Sequence, residues 1–244
     1  MNGRGKITHS SGTTNEGLFL NNALHGEGKI TDEKGTVTEG TYLNGILHGQ
    51  GSITFTYNAS AEGLFLNNQL HGQGICRYAD GTISEGTFVN GALHGPGKRT
   101  FPNGKCFEGM FFNNSLNGVG KTTNADGFRA EGVFLNNKLH GRGRLTDANG
   151  SYDEGTFSQG LACGWFKHVS ADGSIDEGYR ANGEWIGPAK YTYSSGASVE
   201  GAYLNGNRHG PWTLRGNGTA IEGQYKNGTE CGRWIITLPT DNNE

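Results

Sequence analysis

Glutamate followed by glycine recurs along this chain at Glu16, Glu39, Glu62, Glu85, Glu108, Glu131, Glu154, Glu177, Glu200 and Glu222. Eight successive intervals are 23 residues and the last is 22. A fixed period of this length constrains the fold strongly. Each unit is too short to enclose a core and must bury its apolar face against its neighbours. Gly3-Arg4-Gly5-Lys6 matches Gly26-Glu27-Gly28-Lys29 one period later, so the first residues read as part of a further unit.

Each unit holds two short strands. Ser60-Ala-Glu-Gly-Leu-Phe-Leu66 is an extended segment followed by Asn67-Asn68, and sister units place Asn44-Gly45 and Asn90-Gly91 there. Asn and Gly accept the left-handed backbone of a tight hairpin turn. A second strand from about Gln73 to Tyr78 ends at Asp80-Gly81. That glycine recurs at Gly35, Gly104, Gly127, Gly150, Gly173, Gly196 and Gly218, with Asn58 as the one substitute. Asn is the non-glycine residue most tolerant of positive φ, so the substitution supports a turn. The expected fold is all-β: an elongated, single-layer antiparallel solenoid or ribbon of tandem hairpins. Ten hairpins would span about 95 Å before twist.

Composition agrees. Glycine supplies 44 of 244 residues and the apolar fraction is 33%, too little for a thick core. Collagen is excluded because the glycines do not fall at every third position. Regular Phe and Tyr positions argue against disorder. The net charge of -3 gives no case for binding nucleic acid. Cys76, Cys106, Cys163 and Cys231 form no CxxC pair, which points to reduced thiols and a cytoplasmic setting rather than a zinc site.

Glu-Gly-x-aromatic-x-Asn-Gly-x-Leu-His-Gly-x-Gly, ending in Asp-Gly, resembles the membrane occupation and recognition nexus (MORN) repeat, over essentially the whole chain. The expected organisation is an array over 1–238, regular over 16–157 and divergent over 158–238, with a polar tail over 239–244. The resemblance implies a scaffold near a membrane or the cytoskeleton.

Side chains alternate across a strand. Phe19, Tyr42, Phe65, Phe88, Phe111, Phe134 and Phe157 therefore share one face, and paired glycines such as Gly26 and Gly28 would leave room for the rings. The opposite face is also apolar at Leu18, Leu20, Leu64, Leu66, Met110, Phe112, Val133 and Leu135. One face can be closed by the turn leucines (Leu24, Leu47, Leu70, Leu93, Leu116, Leu139), leaving the other as a docking surface. The ring row is the expected lining of a groove for a helical or extended peptide of a partner protein. Unpaired edge strands also allow a homodimer.

Other residues suggest chemistry and give little. Ten equivalent glutamates are unsuited to general acid–base catalysis, which needs carboxylates in unlike settings. They are expected to accept backbone N–H groups of the adjoining turns. His25, His48, His71, His94, His140 and His209 stand roughly 9–10 Å apart, too far to share a metal ion, and are expected to hydrogen-bond within the turn. Lys98, Lys121, Arg144 and Lys167 form an outward basic row that could meet anionic lipid. In the divergent repeats all four tryptophans appear, and Arg180 replaces the usual ring. These residues are expected to cap the array, with Trp234 to Leu238 as closing strand. The rival reading is a ligand-binding or hydrolase-like pocket at Arg180, Trp185 and Trp212. No turnover, metal or cofactor is expected.

Overall fold

The computed structural model describes residues 1–239 of the 244-residue chain; most of the expected polar tail, 240–244, lies outside the described residues. No helix occurs among them. The chain divides into two compact units, Met1–Ala125 and a second that starts at Asp126.

The first unit carries β1 (Gly3–Thr8), β2 (Thr14–Leu20), β3 (Ala23–Thr31), β4 (Val37–Leu43), β5 (Ile46–Thr54) and β6 (Ser60–Leu66). It continues with β7 (Gln69–Arg77), β8 (Ile83–Val89), β9 (Ala92–Thr100), β10 (Cys106–Phe112) and β11 (Ser115–Thr123). Each strand pairs antiparallel with the next, so the unit is one sheet of consecutive hairpins. The second unit follows the same rule. Its strands are β12 (Arg129–Leu135), β13 (Lys138–Thr146), β14 (Tyr152–Ser158), β15 (Leu161–Val169) and β16 (Ile175–Ala181), followed by β17 (Glu184–Thr192), β18 (Ser198–Leu204), β19 (Asn207–Gly216), β20 (Thr219–Lys226) and β21 (Thr229–Thr237).

The turns form as their residues require. Asn44 and Gly45 have φ of 51° and 83°, and Asn58 takes φ 61° where its sisters carry glycine. At the other turn Asp32 Oδ1 accepts hydrogen bonds from the Lys34 and Thr36 backbone N–H groups at 2.9 and 2.8 Å. The Thr36 bond holds the Asp32 carboxyl below its usual range, and Thr82 and Ser174 do the same for Asp80 and Asp172.

The core is a column of glycines covered by leucine and aromatic side chains. Glycine faces glycine across successive strands, as at Gly74 with Gly86 and Gly86 with Gly97. A Cβ on Gly86 would stand 2.5 Å from the Pro96 carbonyl oxygen and 2.6 Å from Gly97 Cα, so the strands approach closer than any side chain permits. Beside this contact the register jumps: Gly86 faces Gly97 and Phe88 faces Leu93, leaving three residues of β9 opposite one of β8. The bulge turns Leu93 back over the column, with Cδ1 2.9 Å from where a Gly97 Cβ would lie. Leu24, Leu47, Leu70, Leu93 and Leu116 are 0–5% exposed, and Phe19, Tyr42, Phe65, Phe88 and Phe111 are 0–4% exposed. Each buried Leu and ring contributes roughly 1.5–3 kcal/mol.

The expectation for the glycine pairs needs correcting. Only the second, Gly28, meets the buried face, with Leu24 and the Tyr42 ring about its Cβ position; Gly26, at φ 99°, has Leu18 beside its Cβ position on the other side.

The bulge also frees backbone groups that join hairpins. Gly91 N–H donates to the Leu70 carbonyl at 2.8 Å and Asn114 N–H to the Leu93 carbonyl at 2.9 Å. Where the second turn residue is Asn, its side chain adds a bond, as Leu93 N–H donates to Asn114 Oδ1 at 2.9 Å. The Asn-Asn turns at Asn68 and Asn114 thus fasten their hairpins to the preceding ones with an additional bond.

In the second unit Leu139 still folds over Gly143, but in three later hairpins the space over the column is filled from another position. Ala162 stands where earlier repeats carry leucine, while Phe166 stands where they carry glycine. The Phe166 ring covers Gly155 and is 1% exposed. Arg208 and Trp212 repeat the exchange over Gly201, and Glu230 and Trp234 repeat it over Gly223. One volume is filled either by a leucine from the bulge or by a ring from the column.

Candidate functional site

Closing one face leaves the other open. Opposite the buried leucines and rings, the first unit exposes Leu18, Leu20, Leu43, Leu64, Leu66, Val89, Met110 and Phe112 at 37–57%. These side chains lie on alternate strands, β2, β4, β6, β8 and β10, near the Asn turns and form one apolar strip. A hollow of about 790 Å³ opens beside it, floored by Gly97 and Gly109 and walled by Pro96, Met110 and Val119.

The expected gripping row lies elsewhere. Phe19, Tyr42, Phe65, Phe88, Phe111, Phe134 and Phe157 are 0–4% exposed. Folded leucines cover their side of the sheet, so in this fold they offer no surface to a partner. Burial also pushes the Tyr42 phenol up to about 12, with Glu39 adding to the shift, while its hydroxyl donates to the Thr38 carbonyl at 2.9 Å.

The glutamates do not cap turns. They stand on the open face, most of them in register with a basic residue (Glu62 and Glu222 are not), and ion pairs join Lys6 to Glu16 at 3.3 Å, Lys29 to Glu39 at 3.7 Å and Lys121 to Glu108 at 3.3 Å. Turn N–H groups are instead met by Asp and Asn side chains, which reach them from two residues away. The basic row is therefore interleaved with carboxylates. Lys98 lies between Glu85 and Glu108 in register, and Arg144 and Lys167 pair with Glu154 and Glu177. Such a row presents little net positive field to an anionic surface.

Histidines serve neighbouring hairpins. His25 Nδ1 lies 3.3 Å from Asn44 Oδ1, His140 Nδ1 accepts from the Gln159 N–H at 3.4 Å, and the His94 ring contacts Phe112 at 5.0 Å. These partners belong to the next turn or strand, not to the histidine's own turn. Among the described residues no group of His, Cys, Asp and Glu is placed to hold a metal ion.

Arg180, Trp185 and Trp212 are brought into one row of packed groups. The Arg180 guanidinium lies 4.3 Å from the Trp185 ring centre and 5.1 Å from that of Phe166. Trp185 stacks on Tyr203, which meets the edge of Trp212 at 5.3 Å, and Arg208 covers Trp212 at 4.7 Å. The groups occupy one another's faces, and Trp212 is 4% exposed.

Trp165, expected with the other tryptophans to cap the array, faces outward instead. It is 48% exposed, and its cross-strand partner Tyr179 is 49% exposed. Hollows of about 590 and 470 Å³ lie on either side of the indole. The signal was available: Trp165 precedes buried Phe166, so strand alternation sends it to the open face.

The family model of the MORN repeat matches residues 16–37, 39–56, 62–83, 85–106, 107–129 and 131–152, more than half of the chain. No curated protein matches it. Among solved structures, the chain is similar to a point mutant of the TCP10 domain of Danio rerio CPAP, at 16% identity and a TM-score of 0.33, over 81% of this chain and 92% of that one. The wild-type domain in complex with a peptide of Danio rerio STIL is similar at 12% identity and a TM-score of 0.28, over 96% and 93%. Superpositions this loose carry no binding property across.

Proposed function

This chain belongs to the MORN repeat family, and from that premise we propose that it is a non-catalytic protein-interaction scaffold whose contact surface is the open apolar strip of the first unit. Its occupant is the apolar stripe of a partner's amphipathic helix.

The observation that carries the reading is the division of labour between faces. One face is closed by its own leucines and rings; the other repeats an exposed apolar residue in every hairpin, at Leu20, Leu43, Leu66, Val89 and Phe112. Equivalent positions lie two strands apart, about 9.6 Å. One heptad of an α-helix advances about 10.5 Å, so a helix laid across the strands meets each repeat with the same side of its surface. Ion pairs along the strip supply a polar rim, as interfaces commonly have.

The test uses a 28-residue amphipathic peptide with leucines in four heptads and a triple variant, Leu66→Glu, Val89→Glu and Phe112→Glu. Circular dichroism first establishes that the variant folds, as expected for exposed positions. Saturable binding to the wild type and its loss in the folded variant support the proposal. Equal binding to both would remove it.

A further inference from the structure

We infer that the second unit carries a separate peptide-binding site on its open face, built around Trp165, that takes an uncharged extended segment with large apolar residues four apart. It involves other residues than the strip of the first unit and stands or falls independently.

Three of the four tryptophans are used in packing: Trp185 against Tyr203, Trp212 against Tyr225, and Trp234 against Tyr225 and over Gly223. Trp165 is not. It stands where other repeats carry Arg4, Glu27, Gln50, Gln73, Pro96, Val119 or Arg142, on the open face beside Tyr179. No cation covers either ring among the described residues, whereas Arg180 and Arg208 cover rings on the buried face. An exposed indole framed by hollows is the usual form of an interface anchor.

The hollows fix the shape of the occupant. The first is floored by Gly132, Gly143 and Gly155 on β12, β13 and β14, and ends at Trp165 on β15. The second starts at Trp165 and crosses Gly178 and Gly201 on β16 and β18. Their centres are three strands apart, about 14 Å. In an extended chain, residues i and i+4 point the same way and stand about 13.5 Å apart, so they reach both hollows together. Residue i+2 then points at the Trp165 ridge and must be small. A helix spans the same distance only over about nine residues, and its ~10 Å width would ride on the ridge without entering either hollow.

Charge points to uncharged anchors. Glu131 and Glu154 offset Arg142 and Arg144 at the first hollow, while at the second Lys190 stands in register between Glu177 and Glu200, which also pair with Lys167 and Arg215. Crossing strands whose backbone bonds are already made, the segment cannot add to the sheet and leaves its own amides in water. The Trp165 indole N–H remains a donor for one of its carbonyls.

The experiment is a titration of the full chain with acetyl-Thr-Leu-Thr-Gly-Thr-Leu-Thr-amide, following the indole N–H resonances by NMR. The control peptide moves the second leucine one position toward the first. The expected result is a saturable shift of the Trp165 resonance at sub-millimolar peptide, about tenfold weaker for the control, since an anchor pointed away from its hollow stays in water. Trp165→Ala and Tyr179→Ala should each abolish it, seen as loss of saturable shifts elsewhere on the open face, while Trp185→Phe should leave it unchanged. No saturable shift up to about 2 mM, equal affinity for both peptides, or binding that survives Trp165→Ala in a folded variant overturns the proposal. So does a shift given by a neutral oligosaccharide and not by the peptide, which would make the ring pair a sugar platform.

Discussion

Moving the ring from one repeat type into the other tests how the sheet is filled. In the first unit Leu93 is fully buried, and its Cδ1 lies 2.9 Å from the position of a Gly97 Cβ. Leu93→Ala alone removes three buried carbons and leaves a cavity that backbone on both sides keeps from collapsing; such changes cost about 3 kcal/mol. Gly97→Phe alone drives a ring into the space Leu93 holds and costs about 1–3 kcal/mol or more. Gly97 lies outside the positive-φ region, and a Cβ there stands 3.1 Å from the Glu85 carbonyl oxygen, a tight contact that the single and double variants share. The pair together reproduces Ala162 and Phe166, which share one site in β15. If a single volume is filled from either position, the double variant should be more stable than either single, with a coupling of at least about 2 kcal/mol in a double-mutant cycle. Urea unfolding followed by far-ultraviolet circular dichroism supplies the comparison, read as ordered midpoints because repeat arrays need not unfold in two states. A double variant as unstable as the summed singles would refute the reasoning.

Further expectations follow from single sites. Asn58→Ala should lower stability by about 1 kcal/mol and Asn58→Gly should not, because φ there is 61°. Lys121→Ala should cost less than about 1 kcal/mol despite the 3.3 Å pair with Glu108, since both side chains are about half exposed and solvent screens them. For Tyr42 the folded phenol is raised to about 12 from an ordinary 10.0, so its neutral form stabilises the fold fully below pH 10. That contribution is lost as the pH rises from 10 through 12. Tyr42→Phe should flatten this part of the pH–stability curve, measured by urea midpoints.

Much of the architecture was legible because repetition averages over local ambiguity. Ten Glu-Gly pairs fixed the period, and the Asn and Gly turn residues, Asn58 included, fixed the hairpins. Alternation placed the rings on one face and the exposed leucines on the other. It could not say which face closes, because that depends on the bulge at Gly86 to Phe88, where β9 gains residues and Leu93 turns inward. Only close approach, seen at Gly86 and Gly97, shows why both positions are glycine. The glutamates were misjudged for a related reason: their cross-strand neighbours lie up to 13 residues away, and pairing with Lys29 or Lys121 appears only with the register. Trp165 was grouped with the capping tryptophans because alternation alone does not say that its neighbour Phe166 takes the buried face.

Residue-resolved carbene footprinting of the unaltered chain tests most directly that one face is closed and the other open. Label on Leu64, Leu66, Met110 and Phe112, with Phe65, Phe88 and Phe111 spared, is the predicted result. Equal labelling of both sets, or label on the rings alone, would contradict it.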